Sequence, residues 1–199
     1  MNKTGEETMR RSTDRILTTH VGSLPRPDEL IDVMIAQDKG EMVDAASFEN
    51  KLKGAVGNVV KKQAELGVDI VDDGEFSKRG FAVYAHERLG GLEPTGKSRP
   101  SPWADSRESR AFPEFYAPEK AAKDKKPTPS SMQMACTSAL NYKGQALLDR
   151  DLSNLRAAAD ANGIEEAFVP AISCSDIAGN QVNEHLAATM IFCTQSPMP

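Results

Sequence analysis

The chain contains the run Gly67-Val68-Asp69-Ile70-Val71-Asp72-Asp73-Gly74-Glu75, in which a short apolar segment leads directly into an acidic turn. Apolar residues recur every three or four positions over the preceding residues 47–66. This pattern predicts an amphipathic helix capped by Ser47 and closed by Gly67. A helix that passes through a glycine into a strand, and then into an acidic loop, is typical of a βαβ unit.

The same alternation of helix and strand continues along the chain. Further strands are predicted at 16–21, 132–136 and 167–172, and further helices at 28–37, 80–89 and 143–162. Each predicted strand is almost entirely apolar, as expected of parallel strands that are covered on both faces. We therefore expect an α/β fold with about four parallel strands, which form either a small open sheet or half of an eight-stranded barrel.

Two regions look irregular. Residues 1–13 are polar and charged, and we expect them to form a disordered lead. Residues 90–131 are rich in proline and charge but carry interspersed aromatic side chains, so we expect a long loop insertion that folds partly over the body.

The composition excludes several functional classes. Lysine and arginine number 24 against 29 aspartates and glutamates, a net charge of −5, and the cations are scattered among carboxylates, which argues against nucleic-acid binding. No apolar stretch approaches the roughly 20 residues that span a bilayer, and no secretory signal is visible, so we expect a cytoplasmic protein. Cys136, Cys174 and Cys193 lie far apart, which fits a reducing compartment.

Candidate site residues follow three of the predicted strands, where ligands gather in α/β folds. The first cluster is His20-Val21-Gly22-Ser23, which either binds a carboxylate or forms a plain turn, and His20 either touches a ligand or packs at the strand end. The second cluster, residues 72–75, either holds an ammonium group or is a solvated loop. Cys174 and Asp176 form the third, but they lack the companions of a metal site.

Residues 16–27 and 67–75, in this order and at this separation, resemble the cobalamin-independent methionine synthase family, and more closely its stand-alone branch, methionine synthase II. The resemblance implies the amino-terminal half of a TIM (β/α)8 barrel. It also implies a methyltransferase of methionine biosynthesis that moves a methyl group from 5-methyltetrahydrofolate, as the polyglutamate, to the thiol of homocysteine. Homocysteine and the methylated folate are the expected partners, with no nucleic acid and no membrane.

The resemblance also assigns roles to residues. It implies that Val21, Gly22 and Ser23 hold the amino-acid end of homocysteine and that Glu75 pairs with the homocysteine ammonium group. The family's zinc ligands lie on later barrel strands, beyond this chain, so no metal ligand and no catalytic residue is assigned. We therefore expect residues 14–185 to be a partial barrel domain that is inactive as a fragment and that self-associates through its open edge.

The last residues, 186–199, depart from the family pattern. The residues from Met190 onward can be translated back into codons, and the reading frame can then be shifted by two nucleotides. The shifted frame is able to encode the helix that the family carries at this position. We therefore interpret 186–199 as an aberrant tail, produced by a frameshift that is either biological or a sequencing artefact. The coding DNA tests this, since the shifted frame must continue into the zinc-ligand strands.

Two alternative functions fit the same residues. One is zinc-dependent alkyl transfer to another thiol, as in the epoxyalkane:coenzyme M transferases. The other is a non-catalytic βα protein that binds an amino acid at Gly22, Ser23 and Glu75.

Overall fold

The computed structural model describes residues 9–101, 105–116 and 131–185. The described residues form two compact units, one within Met1–Lys78 and Ala146–Ala171 and the other within Arg79–Gln145 and Ile172–Pro199. The helices are α1 (Asp28–Asp38), α2 (Ala45–Glu65), α3 (Phe81–Arg88), α4 (Arg107–Ala111), α5 (residues 113–116), α6 (Gln145–Ala161) and α7 (Cys174–Gly179). The strands are β1 (Val71–Asp72), β2 (Leu89–Ser98), β3 (Met132–Tyr142), β4 (Ala167–Phe168) and β5 (Gln181–Asn183). The predicted α/β class is confirmed.

The first unit packs its helices around a short parallel sheet. β1 pairs with β4 in parallel. Thr19 forms an isolated parallel bridge to Ile70, the residue that precedes β1. Leu52, Val56 and Val60 share one face of α2 and are buried in the same cluster as Val71. This face follows the helical period of the sequence. The predicted helix therefore packs against the strand that follows it.

The predicted cap of α2 is wrong. Asp44 is the N-cap residue, and its carboxylate accepts hydrogen bonds from the backbone N–H groups of Ala46 and Ser47, at 3.2 and 3.3 Å. The helix therefore begins two residues before Ser47, because an aspartate offers two oxygen acceptors to the first turn.

Replacing Asp44 by alanine is expected to lower the free energy of unfolding by about 1 kcal/mol, since two N–H groups of the first turn lose their acceptor. Urea denaturation of Asp44→Ala, beside Ser47→Ala as the matched control, measures the effect. An equal or larger loss in Ser47→Ala would contradict the assignment of the cap to Asp44.

The second unit contains a three-stranded mixed sheet in the order β2-β3-β5. β2 and β3 are antiparallel, with Leu92 opposite Cys136, whereas β3 and β5 are parallel, with Cys136 opposite Asn183. The expectation of irregular structure over 90–131 is therefore wrong for 90–98, and it is also wrong for α4 and α5. The expectation that all strands are parallel is met only in part. Cys136 is fully buried in the core of this unit.

Three predicted strands are shorter than expected, and the one predicted at 68–72 is reduced to β1. Of residues 16–21 only Thr19 makes a bridge, and Ile16 and Val21 are 83% and 71% exposed. The backbone N–H of Thr18 donates to the Asp69 carboxylate, at 2.8 Å, so a side chain takes the place of a ladder bond. The strand predicted at 167–172 ends at Phe168, two residues before Pro170, which has no N–H to donate.

The remaining observations concern the two ends of the chain. The backbone N–H of Arg10, within the predicted lead 1–13, donates to the Glu166 carboxylate at 3.1 and 3.2 Å. The predicted tail 186–199 lies outside the described residues.

None of the helices that the structure describes combines the length and the apolar character needed to span a membrane.

Candidate functional site

Ser23 and Glu75, 52 positions apart in the sequence, meet at one site in the first unit. The Ser23 hydroxyl donates to Glu75 Oε2 at 2.7 Å. Glu75 is only 3% exposed, whereas Ser23 lies at the surface. The second carboxylate oxygen, Glu75 Oε1, is buried and has no hydrogen-bond partner among the described residues. A buried acceptor without a donor costs about 1–3 kcal/mol, so this oxygen is suited to a ligand that brings its own donor.

The conformation of the acidic turn brings Glu75 to this position. Gly74 and Glu75 both have left-handed backbones, with φ of 64° and 58°. Asp72 Oδ1 accepts from the Gly74 N–H at 2.6 Å, and Asp73 Oδ1 accepts from the Glu75 N–H at 2.9 Å. A Cβ atom at Gly74 would lie 2.9 Å from the ring of Phe76, so both the backbone angle and the packing require glycine there.

Helix α2 fixes the start of the same turn. The side-chain amide of Gln63 donates to the Asp72 carbonyl at 2.8 Å and accepts from the Asp72 N–H at 3.2 Å. The Leu24 N–H donates to the Gly74 carbonyl at 3.1 Å, which joins the loop after Thr19 to the turn after β1. The loop that carries Ser23 is thus joined to the acidic turn by a backbone hydrogen bond, and the Gln63 side chain holds the start of that turn.

The turn contains buried charges. Asp72 is fully buried, and Asp73 and Lys78 are each 2% exposed, with Lys78 Nζ 3.6 Å from Asp73 Oδ2. Burial raises the pKa of the Asp72 carboxyl, and burial also raises the pKa of Asp73, against the opposing charge of Lys78. The alternative interpretation of residues 72–75 as a solvated loop is therefore wrong.

The other predicted site residues lie near the pair but differ in their surroundings. Gly22 has φ of 111°, and its carbonyl lies 3.0 Å from His20 Nε2, so His20 contacts the loop backbone. Val21 is largely exposed. Arg26 was missed in the sequence, although it follows Ser23 closely: its guanidinium donates to the carbonyls of both Glu75 and Lys78.

The third candidate cluster, Cys174 and Asp176, lies in the second unit. The hydrogen bonds of Asp176 are those of a helix N-cap. Ser173 caps α7, and its hydroxyl accepts from the Asp176 N–H at 3.1 Å and donates to the Asp176 carboxylate at 2.7 Å. Among the residues that the structure describes, no three His, Cys, Asp or Glu side chains are grouped so as to hold a metal ion. Cys193 lies outside those residues.

A half-buried histidine, His86, lies in the second unit. His86 Nε2 is 2.9 Å from the side-chain nitrogen of Gln181, which joins α3 to β5. Burial lowers the pKa of His86 from its usual 6.5 to about 4, and the charge of Arg99 acts in the same direction, while the hydrogen bond with Gln181 opposes them.

The chain is expected to lose stability as the pH falls from about 6.5 to about 4, because His86 takes up a proton in the unfolded chain before it does so in the folded one. His86→Gln removes this contribution. Urea denaturation of both proteins across this pH range measures the difference, and a stability gap that does not change with pH would contradict the assignment.

The sequence matches a family model described as the catalytic domain of cobalamin-independent synthase over residues 16–139. Similar curated proteins include the 5-methyltetrahydropteroyltriglutamate–homocysteine methyltransferases of Chelativorans sp. (strain BNC1), 32% identical over 93 residues, and Vibrio vulnificus (strain CMCP6), 32% identical over 78 residues. These matches cover 47% and 39% of this chain but 11% and 10% of the relatives. The chain thus matches about a tenth of their length.

The fold is similar to that of a solved structure, a B12-independent methionine synthase from Shewanella sp. W3-18-1 in complex with selenomethionine. The TM-score is 0.61 at 14% sequence identity, and the likeness covers 89% of this chain and 44% of that chain. At this identity the comparison concerns the fold.

Proposed function

The chain belongs to the family of cobalamin-independent methionine synthases, within their catalytic domain, and from this premise we propose that Val21, Gly22, Ser23 and Glu75 bind the amino-acid end of homocysteine. The proposed reaction of the whole protein is transfer of a methyl group from 5-methyltetrahydropteroyltriglutamate to the homocysteine thiol, which matches the names of the curated relatives. Methionine, the product, has the same amino-acid end and is the proposed second ligand.

The observation that carries the proposal is the unused oxygen of Glu75. Oε2 accepts from Ser23, while Oε1 is buried without a donor among the described residues. An ammonium group brings three N–H donors and a positive charge, and it would satisfy Oε1 and compensate the buried carboxylate. A neutral ligand would bring no positive charge to the Glu75 carboxylate.

The Ser23 hydroxyl supports a specific exchange of hydrogen bonds. In the free chain this hydroxyl donates to Glu75. We propose that the ligand ammonium takes over Glu75, so that the exposed Ser23 hydroxyl turns to donate to the ligand carboxylate. The N–H groups of Gly22 and Ser23 are further donors for that carboxylate, because glycine has no side chain to block the approach.

The proposed architecture is the amino-terminal half of a (β/α)8 barrel, with residues 14–185 as the domain. The parallel pairing of β1 with β4 and of Thr19 with Ile70 supports it, as does the likeness to the Shewanella fold.

Ile16 and Val21 are largely exposed beside the Thr19 bridge, and we propose that the chain self-associates through this edge. Sedimentation velocity tests this proposal, and a monomer at every concentration would contradict it.

The described residues do not fit a zinc site, since none of their His, Cys, Asp and Glu side chains form a group that could hold a metal. We therefore propose that this chain binds the amino acid without catalysing methyl transfer. The proposed zinc dependence belongs to the full-length family. Metal analysis of the purified chain tests this assignment, and one tightly bound zinc per chain would contradict it.

Calorimetric titration tests the proposed function from the ligand side. Methionine and homocysteine are expected to bind, whereas N-acetylmethionine, which has no ammonium group, is expected to give no saturable heat. Absence of binding by all three, or equal binding of methionine and N-acetylmethionine, would contradict the proposal.

A further inference from the structure

We infer that Arg26 is a positioning residue that holds the backbone of Glu75 in the conformation required for ligand binding. The ligand-binding part of this inference rests on the function proposed above, but its structural part concerns the free chain. Arg26 lies three residues after Ser23, so one short loop reaches both the side chain and the backbone of Glu75.

The contacts of Arg26 are directed at the backbone of the acidic turn. One terminal nitrogen, Nη2, donates to the Glu75 carbonyl at 2.7 Å and to the Lys78 carbonyl at 2.7 Å. The Lys78 N–H also donates to the Glu75 carbonyl, at 3.0 Å. Both acceptor positions of the Glu75 carbonyl are therefore filled, and Arg26 joins the two ends of the turn from Glu75 to Lys78.

Glu75 needs such support because of its backbone angle. It is the non-glycine residue with positive φ in the described part of the chain, at 58°. A left-handed backbone costs an ordinary residue about 1–2 kcal/mol, and it persists when surrounding contacts impose it. A return of Glu75 to a right-handed or extended backbone would turn its carboxylate away from Ser23.

The charge of Arg26 acts on the same group. Burial lowers the pKa of Arg26, while the nearby carboxylates of Glu75 and Asp73 oppose that shift. The guanidinium thus offsets buried negative charge without bonding to the Glu75 carboxylate, whose two oxygens are left for Ser23 and for a ligand. Lysine would keep the charge, but its ammonium nitrogen lies one bond nearer the backbone than Nη2, so it would not reach both carbonyls.

The experiment compares the wild type with Arg26→Ala, Arg26→Lys and, as a matched control, Arg156→Ala, which removes an exposed arginine of α6. Calorimetry measures methionine binding, and circular dichroism measures folding. We expect both Arg26 variants to bind methionine about tenfold or more weakly, and Arg156→Ala to bind like the wild type. Added methylguanidinium is expected to restore binding to Arg26→Ala but not to Glu75→Gln.

A second measurement reads the Glu75 backbone without any ligand. The ¹³Cα and ¹³Cβ chemical shifts of Glu75 are expected to report a left-handed backbone in the wild type and a different one in Arg26→Ala, or in Arg26→Lys if the alanine variant does not fold. Unchanged shifts, or methionine affinities within twofold of the wild type, would overturn the inference. If the wild type itself binds no methionine, the proposed function fails, and the chemical shifts alone decide the role of Arg26.

Discussion

Replacing Lys78 by methionine is expected to lower the free energy of unfolding by about 3–5 kcal/mol at neutral pH, the largest stability effect that we predict. Lys78 and Asp73 form an ion pair whose two side chains are 1% and 2% exposed. Methionine has nearly the same length as lysine but no charge, so the Asp73 carboxylate would stay buried without its countercharge. Chemical denaturation of the wild type and the variant measures the loss.

The pH dependence of that loss separates lost charge from lost packing. Without Lys78, the pKa of Asp73 should rise further above its usual 3.8, because the charge that opposes the effect of burial is removed. The folded variant then holds a proton that the unfolded chain releases, so its stability falls as the pH rises above about 3.8. The deficit against the wild type should therefore shrink toward low pH and in the double variant Lys78→Met/Asp73→Asn. A loss of stability of the same size at neutral pH, at low pH and in the double variant would contradict the role of the ion pair.

Glu75→Gln is expected to weaken methionine binding by about 2–5 kcal/mol, or roughly 30- to 4,000-fold. The amide keeps the size of the side chain but removes the negative charge that we propose faces the ligand ammonium. It also has only one oxygen acceptor, for which Ser23 and the ligand would compete. Calorimetry measures the change in affinity.

Glu65→Gln is the matched control, because Glu65 lies near the end of α2 with its side chain 54% exposed. This variant should bind methionine like the wild type. Comparable binding by Glu75→Gln and the wild type would mean that the ammonium is held elsewhere.

Local sequence patterns predicted the parts of the fold that depend on local interactions. The apolar period of α2 and the glycine that follows it identified the helix and the presence of a strand after it, because burial of one helix face requires that period. The strand itself begins at Val71, three residues later than predicted. Ser23 and Glu75 were predicted together only through the family resemblance. Nothing local in the chain indicates that residues 52 positions apart share a hydrogen bond.

The features that were missed depend on partners distant in sequence. β2 contains glycines and Pro94, which disfavour a strand locally, yet antiparallel pairing with β3 fixes it, with Pro94 opposite Met134. Arg26 and Lys78 each read as a surface cation, since their type alone does not reveal a buried carbonyl or carboxylate beside them. The sequence signal for both lies in their neighbours: each stands three residues from a predicted site residue, Ser23 or Glu75.

A crystal structure of the chain with bound methionine tests most directly whether the Ser23 and Glu75 site was built for an amino acid. We predict that the ligand ammonium nitrogen lies within hydrogen-bond distance of Glu75 Oε1 and that the Ser23 hydroxyl has turned to the ligand carboxylate. Methionine bound at another place, or bound here while Ser23 still donates to Glu75 and the ammonium contacts neither carboxylate oxygen, would contradict the proposed site.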